Sequence, residues 1–337
     1  MKEKVLYYLG AGASAKVLPL ARSVFDGGDY DPKIPGLIHE LEFQGGRLTI
    51  DDLAPENQKY LTQVKRKMKA LAFAAKDFGD IDTYAKFLHL MGRTEELKDL
   101  KSVLAHYFVI KQLIIKAIDS RYLPWLVSIM SKPNFPVNVK IISWNYDFQF
   151  QLAASKIGNL EEVKHNGNSF SYSAPSILYY PNLDPTFSDF PNISLYHMNG
   201  IAGIIRASIE HTNSPFQKNQ EASNDAIISF LKNESLKSQI HFAWEQTTYH
   251  ANAIQNLTHL ILHTTILVVI GYSFPFFNRE FDKEIMYELT RTGMLKKIYY
   301  QDPVLTGQQL KTQFGLHPDF DIVHIPHTDN FHIPFEY

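Results

Sequence analysis

The run Val5-Leu6-Tyr7-Tyr8-Leu9, followed by Gly10-Ala11-Gly12-Ala13-Ser14-Ala15, decides how the rest of the chain is read. Five apolar, β-prone residues that stop at glycine predict a buried strand running into a tight turn. Gly10, Gly12 and Ala15 fit the spacing G-x-G-x-x-G/A. Glycine there lets the backbone approach a pyrophosphate, and the start of a following helix supplies amide donors. Small residues at a strand-to-helix turn also serve plain close packing, so the motif alone leaves both readings open. A dehydrogenase would continue into a helix and a second strand tipped by Asp or Glu. Here Pro19, Gly27-Gly28, Pro32 and Pro35-Gly36 punctuate a long loop that contains Asp29 and Asp31, and the acid-tipped strand is missing from its place.

Composition bounds the rest. The chain has 337 residues, 45% apolar and 20% charged, enough for a sizeable core in one large domain or two ordinary ones. A formal net charge of -2 offers no electrostatic footprint for nucleic acid or an anionic membrane. The basic cluster Lys65-Arg66-Lys67-Met68-Lys69 reads as a solvated helix face. The absence of cysteine removes disulfides, thiol nucleophiles and cysteine-based zinc or iron-sulfur sites. Charges at Lys2, Glu3 and Lys4 with few apolar residues behind them do not make a signal peptide, and Leu260 to Ile270 is too short to span a bilayer. The expectation is a soluble cytoplasmic protein with no membrane association and no direct nucleic-acid binding.

Further strands are predicted at Val139–Ser143, Ile193–Tyr196, Ile266–Ile270 and Lys297–Tyr300. Each ends in a polar or glycine corner: Trp144-Asn145-Tyr146-Asp147, His197-Met198-Asn199-Gly200, Gly271-Tyr272-Ser273-Phe274 and Gln301-Asp302-Pro303. Residues 40–130 read as mainly helical, with Lys101–Ile118 amphipathic throughout, and Glu280–Thr290 as a further helix. Residues 158–191, rich in Asn, Ser, Pro and Tyr, read as an extended excursion. The expected fold is α/β, a Rossmann-like and mainly parallel sheet. It forms a single domain over 1–337 with a large helical insertion at 40–130. In such a sheet, ligands bind outside the carboxyl ends of the strands, so five corners should converge on one crevice.

Asn145 and Asp147 are candidates for holding a ribose hydroxyl, an amide or a positioned water, against a bland reading of Asp147 as a helix cap. His197 at a strand end is a candidate proton-transfer residue. Gly271 and Ser273 offer a second close approach and a hydroxyl, and Gln301-Asp302 offers polar groups at the next strand end. His317, His324, His327 and His332 have no metal-ligand spacing, so no metal is expected. Phe274-Pro275-Phe276-Phe277 reads as a hydrophobic lid or core plug.

Taken in order, GAGAS, S-W-N-Y-D, H-x-N-G, G-Y-S-F and Q-D-P resemble the sirtuin-like superfamily. Within it they are most similar to the sirtuin-like NAD-consuming proteins of bacterial antiphage defence. The resemblance implies that Gly10, Ala11, Gly12 and Ser14 bind the NAD pyrophosphate. It places Asn145 and Asp147 on the nicotinamide-ribose side and makes His197 the catalytic histidine. It puts Gly271 and Ser273 near the phosphates and adenosine ribose, and Gln301 or Asp302 at the adenosine end. Protein-deacylating sirtuins usually carry a four-cysteine zinc ribbon and a G-I-P-D-F-R-like run. This chain has neither, and Lys16-Val17-Leu18-Pro19-Leu20-Ala21-Arg22 follows its first motif. The expectation is an NAD glycohydrolase releasing nicotinamide and ADP-ribose, with NAD as substrate, acting as an abortive-infection effector. The alternatives are an NAD- or ADP-ribose-binding assembly subunit without catalysis, and a sirtuin-type deacylase. The family also implies a homo-oligomer and, in some systems, a co-encoded motor ATPase as partner.

Overall fold

The computed structural model describes residues 3–24, 33–130, 135–157, 162–165, 169–172, 178–179, 195–200, 202, 223–232, 240–245, 257–258 and 261–337. Strand β1 (Val5–Leu9) forms the middle of a seven-stranded parallel sheet. Strands β2 (Val139–Ser143), β6 (Leu195–His197) and β5 (Leu178–Tyr179) extend it to one side. To the other side lie β7 (Ile266–Ile270), β8 (Lys297–Gln301) and β9 (Asp321–Ile325). A separate antiparallel pair joins β3 (Glu162–His165) and β4 (Ser169–Tyr172). The chain leaves β1 toward β2 and later returns to place β7 on the opposite side. The strand order therefore reverses at β1, the position where α/β sheets open a ligand crevice.

Every residue of β1 and β7 is buried, as expected of parallel strands covered on both faces. Alternation divides them between two layers. Leu6, Tyr8, Leu267 and Val269 pack on one face with Ile285, Met286 and Leu289 of α8 (Arg279–Arg291) and Leu310 of α9 (Gln309–Gln313). Val5, Tyr7, Leu9, Val268 and Ile270 pack on the other face with α5 (Tyr122–Ile129) and α6 (Gln149–Lys156).

Helices α1 (Leu37–Arg47), α2 (Pro55–Ala75), α3 (Ile81–Leu90) and α4 (Thr94–Val109) form the helical block. They share a third core with α7 (Asn224–Leu231). Pro55 opens α2 at the position where its missing N–H costs nothing. Leu61, Val64, Met68, Leu71, Ala72 and Ala75 form its buried stripe, while Arg66, Lys67 and Lys69 face solvent. Asp80 caps α3 by accepting from the Thr83 amide at 2.7 Å and pairs with Arg22 at 2.6 Å, tying the loop after GAGAS to the block.

Three sequence expectations need correcting. The helical spacing read over Lys101–Ile118 belongs to a helix that starts at Thr94, within the predicted helical region, and gives way to a wider π-type turn at Ile110–Ile114. Lys116 then breaks the direction at φ +57°. His197 is the last residue of β6 and Gln301 the last of β8, each one residue beyond the strand ends predicted at Tyr196 and Tyr300. Strand β9 has no counterpart among the predicted strands: an edge strand only half-buried carries no apolar run. Residues 25–32, Ile193 and most of the 158–191 excursion lie outside the described residues. Among the described residues no helix is long and apolar enough to cross a membrane.

Candidate functional site

The carboxyl ends of the central strands are flush. Leu9 is in register with Ser143 and Ile270, Ser143 with His197, and Ile270 with Gln301. The predicted corners therefore lie side by side along one sheet end.

The first corner is built against the fourth. The Gly10 amide donates to the Ile270 carbonyl at 3.0 Å and the Gly12 amide to the Gly271 carbonyl at 2.9 Å. A Cβ on Gly12 would stand 2.6 Å from Gly271 Cα, and one on Gly10 would stand 2.6 Å from Tyr272 Cα, distances that no relaxed structure tolerates. The glycines thus have a packing role in full view, while Ala11, Gly12 and Gly271 stay partly accessible. Ala11–Ser14 forms a single 3-10 turn, which corrects the expected helix opening. Pro19 and the loop behind it prevent propagation, so any anion here meets turn amides without a long helix dipole.

Below this loop lies a buried ion pair. The Arg121 guanidinium donates to both Asp119 carboxylate oxygens, at 2.9 and 2.6 Å, to the Ala13 carbonyl at 2.7 Å and to the Thr328 carbonyl at 3.0 Å. Ser14 Oγ lies 3.1 Å from the Tyr122 hydroxyl.

The second corner alternates like a strand. Trp144 packs into the sheet core, whereas Tyr146 and Phe148 pack into the helical core. The aromatic residues anchor the corner to two layers, and the intervening Asn145 and Asp147 are left at the strand ends. Asn145 Nδ2 donates to the Gly10 carbonyl at 2.9 Å, joining the first and second corners. Its own carbonyl lies 3.2 Å from His197 Nδ1, joining the third. His197 Nε2 lies 3.0 Å from Gln151 Nε2 of α6. Burial holds the His197 ring down at about 4, against the opposing bond to the Asn145 carbonyl, so the ring is neutral at pH 7. An uncharged histidine at one strand end, tied to the next strand end and to a helix, is a group that can accept a proton.

Asp147 accepts the Gln149 amide at 3.0 Å, so the cap-like reading is realised in part as it closes the turn into α6. Burial pushes its carboxyl up to about 6, against hydrogen bonding from Gln149, Ser14 and Asn145. A folded-state value above the unfolded one favours the fold most at low pH. That contribution is lost as pH rises from about 3.8 through about 6. Asp147→Asn should therefore be neutral near pH 4 and stabilising by roughly 1–2 kcal/mol at pH 8. Urea titrations at the two pH values check this, and an equal effect at both would count against it.

Gly271, at φ +56°, is followed by buried Tyr272 and exposed Ser273. The Tyr272 ring stacks on Trp144, with centroids 5.8 Å apart and planes 2° apart. Its hydroxyl donates to Asp282 at 2.9 Å and receives from Asn278 Nδ2 at 3.0 Å. The Tyr8 hydroxyl donates to the same Asp282. Of the aromatic run, Phe274 is buried core and Phe276 is exposed.

Gln301 is bound at both ends of its amide. It donates to the His327 and Asn330 carbonyls, each at 2.6 Å, and accepts the His332 amide at 2.9 Å. Asp302 accepts the Val304 and Leu305 amides at 2.9 and 2.7 Å. Both therefore fix backbone at the fifth corner. The structure brings together Gly10, Ser14, Asn145, Asp147 and His197 and sets Gly271 against Gly12. Gln151, Arg121 and Asp282 escape sequence reasoning, because each reaches the corners from a helix or loop with no motif of its own, and the Tyr272 contacts with Trp144 and Asp282 are not legible from its motif.

No protein-family model, no curated protein and no solved structure matches the chain.

Proposed function

We propose that the chain is a sirtuin-like NAD hydrolase that cleaves NAD to nicotinamide and ADP-ribose. The observation that carries this reading is the linkage Gly10–Asn145–His197 across three adjacent strand ends, with Asp147 and Ser14 beside it. Cleaving the glycosidic bond sends its electron pair to the nicotinamide nitrogen and builds positive charge at the anomeric carbon. A water oxygen bonds to that carbon and gives up one proton. In this reading Asn145 orients the ribose and water, Asp147 faces the nicotinamide end and supplies negative charge, and neutral His197 accepts the proton. The half-buried backbone at Ala11 and Gly12 lies against the pyrophosphate, with Gly271 and Ser273 toward the adenosine half.

The biological role that accompanies this reading is abortive infection, in a homo-oligomer working in the cytoplasm and triggered through a partner such as a motor ATPase. The test is release of nicotinamide from NAD by the purified chain, alone and with the product of a neighbouring gene. Asn145→Ala and His197→Ala are each expected to lower release by roughly 100-fold while leaving the fold intact. Normal turnover in both would remove these residues from the mechanism. NAD binding without nicotinamide release under all conditions would favour a non-catalytic assembly subunit. Activity on an acetyl-lysine peptide would favour a deacylase.

A further inference from the structure

Gln151 stands on α6, four residues beyond Asp147 and on no strand end, yet its carboxamide meets the His197 ring. The two ring nitrogens are constrained from opposite sides. Nδ1 faces the Asn145 carbonyl at 3.2 Å, and a carbonyl only accepts, so Nδ1 carries a hydrogen. In a neutral ring Nε2 then has a lone pair, and the Gln151 amide nitrogen at 3.0 Å donates to it. Turning the amide over would set Oε1 against Nε2 and demand a doubly protonated, cationic ring, at a position where His197 is only 2% exposed. The orientation that avoids this leaves Gln151 Oε1 buried with no partner among the described residues. A buried acceptor left unpaired is costly, so it is a position a donor would fill.

We propose that Gln151 is a positioning residue that fixes His197 as an uncharged base with its lone pair at Nε2. It holds that lone pair until a substrate hydroxyl or water replaces the amide. This rests on the reading of His197 as the proton acceptor. Nε2 has one lone pair, so the amide and the incoming O–H compete for it. When the O–H bond breaks, the proton passes to Nε2 and the ring becomes cationic. The displaced carboxamide can then turn, and Oε1, unpartnered among the described residues, accepts the new Nε2–H. One side chain thereby serves both protonation states by exchanging its donor end for its acceptor end.

Ring nitrogen NMR of the 15N-labelled protein tests the pair directly. The wild type is expected to show His197 with hydrogen on Nδ1 and none on Nε2 at neutral pH. Gln151→Glu keeps the size but offers only acceptor oxygens. With Nδ1–H held by the Asn145 carbonyl, it should favour hydrogen on both ring nitrogens and raise the His197 titration by more than about one pH unit. The acid limb of nicotinamide release should move up with it, because only the neutral ring accepts a proton. Gln151→Met removes the competing donor and adds no charge, so it also serves should the glutamate variant not fold. Its ring should keep the Nδ1–H form, and KM for NAD should fall roughly three- to ten-fold. An Nε2–H ring in the wild type, an unmoved titration in Gln151→Glu, or a raised KM in Gln151→Met would each overturn the proposal. The spectra report on the pair whether or not NAD is cleaved. Absence of nicotinamide release would therefore count against the proposed function and leave the Gln151–His197 assignment to be decided by NMR.

Discussion

Gly271→Ala is expected to destabilise the protein by roughly 2–5 kcal/mol, the sum of two separable penalties. The first is conformational: at φ +56° an L-residue is in left-handed space, where a Cβ crowds the following carbonyl. The second is contact: the new Cβ would press on the Gly12 backbone and the Ala13 amide nitrogen, atoms that cannot swing aside as a side-chain tip would. Gly293 separates the two, since it has φ +66° and an added methyl there would meet nothing within 4 Å. Gly293→Ala should therefore cost only the conformational part, about 1 kcal/mol. Guanidinium unfolding of both variants makes the comparison. Equal losses would mean that the Gly12–Gly271 contact contributes nothing and that the two loops are merely neighbours. A larger loss at 271 would establish the interlocked corner as structural in its own right, whatever it also binds.

That result bears on what GAGASA signals. Its glycines are explained by packing against the β7 corner, so they do not by themselves point to a ligand. The functional reading gains its support from Asn145, which uses its side chain to hold the Gly10 carbonyl and its backbone carbonyl to hold His197. A residue that joins three corners is not needed merely to end a strand.

Sequence reading succeeds where burial on both faces forces an uninterrupted apolar run. Ile266–Ile270 has the predicted bounds because a polar residue inside it would face a core; Val139–Ser143 also has its predicted bounds, carried by Val139, Ile141 and Ile142 with Lys140 only half-buried. It fails at β9, where Asp321 and His324 are tolerated by an edge position. The end of α4 is hidden because Ile110, Leu113 and Ile114 continue the apolar period while the backbone widens into a π-type turn. Within the site, Asn145, Asp147 and His197 are legible from their place at strand ends. Gln301 and Asp302 are legible as a corner, but not in their use. His327, Asn330 and His332, which occupy the Gln301 amide, come from a segment some 25–30 residues on in sequence, a separation no local pattern encodes. Gln151 is hidden for a related reason, since its partner lies 46 residues away.

The least legible element is the ion pair beneath the first corner, and it carries the other large prediction. Arg121→Met should cost about 3–5 kcal/mol. The Asp119 side chain is fully buried, so removing its counter-ion leaves a carboxylate with neither water nor cation. The Ala13 and Thr328 carbonyls lose a donor at the same time. The pair is not thereby a net source of stability, because burying both charges is itself expensive. Removing both should cost much less than removing the arginine: Asp119→Leu with Arg121→Met is expected to recover at least about half of the loss. A double-mutant cycle by urea unfolding measures this. If the single variant loses less than about 1 kcal/mol, the pair is better hydrated than its burial indicates. If the double variant is as unstable as the two singles combined, the residues act through separate contacts and the pair is incidental. Recovery of stability without recovery of the Ala13 contact would leave the first corner loosened on a sound fold. In that case the double variant would also show what the arginine contributes to the site itself: faster amide exchange across Ala11–Ser14, with the rest of the sheet unchanged.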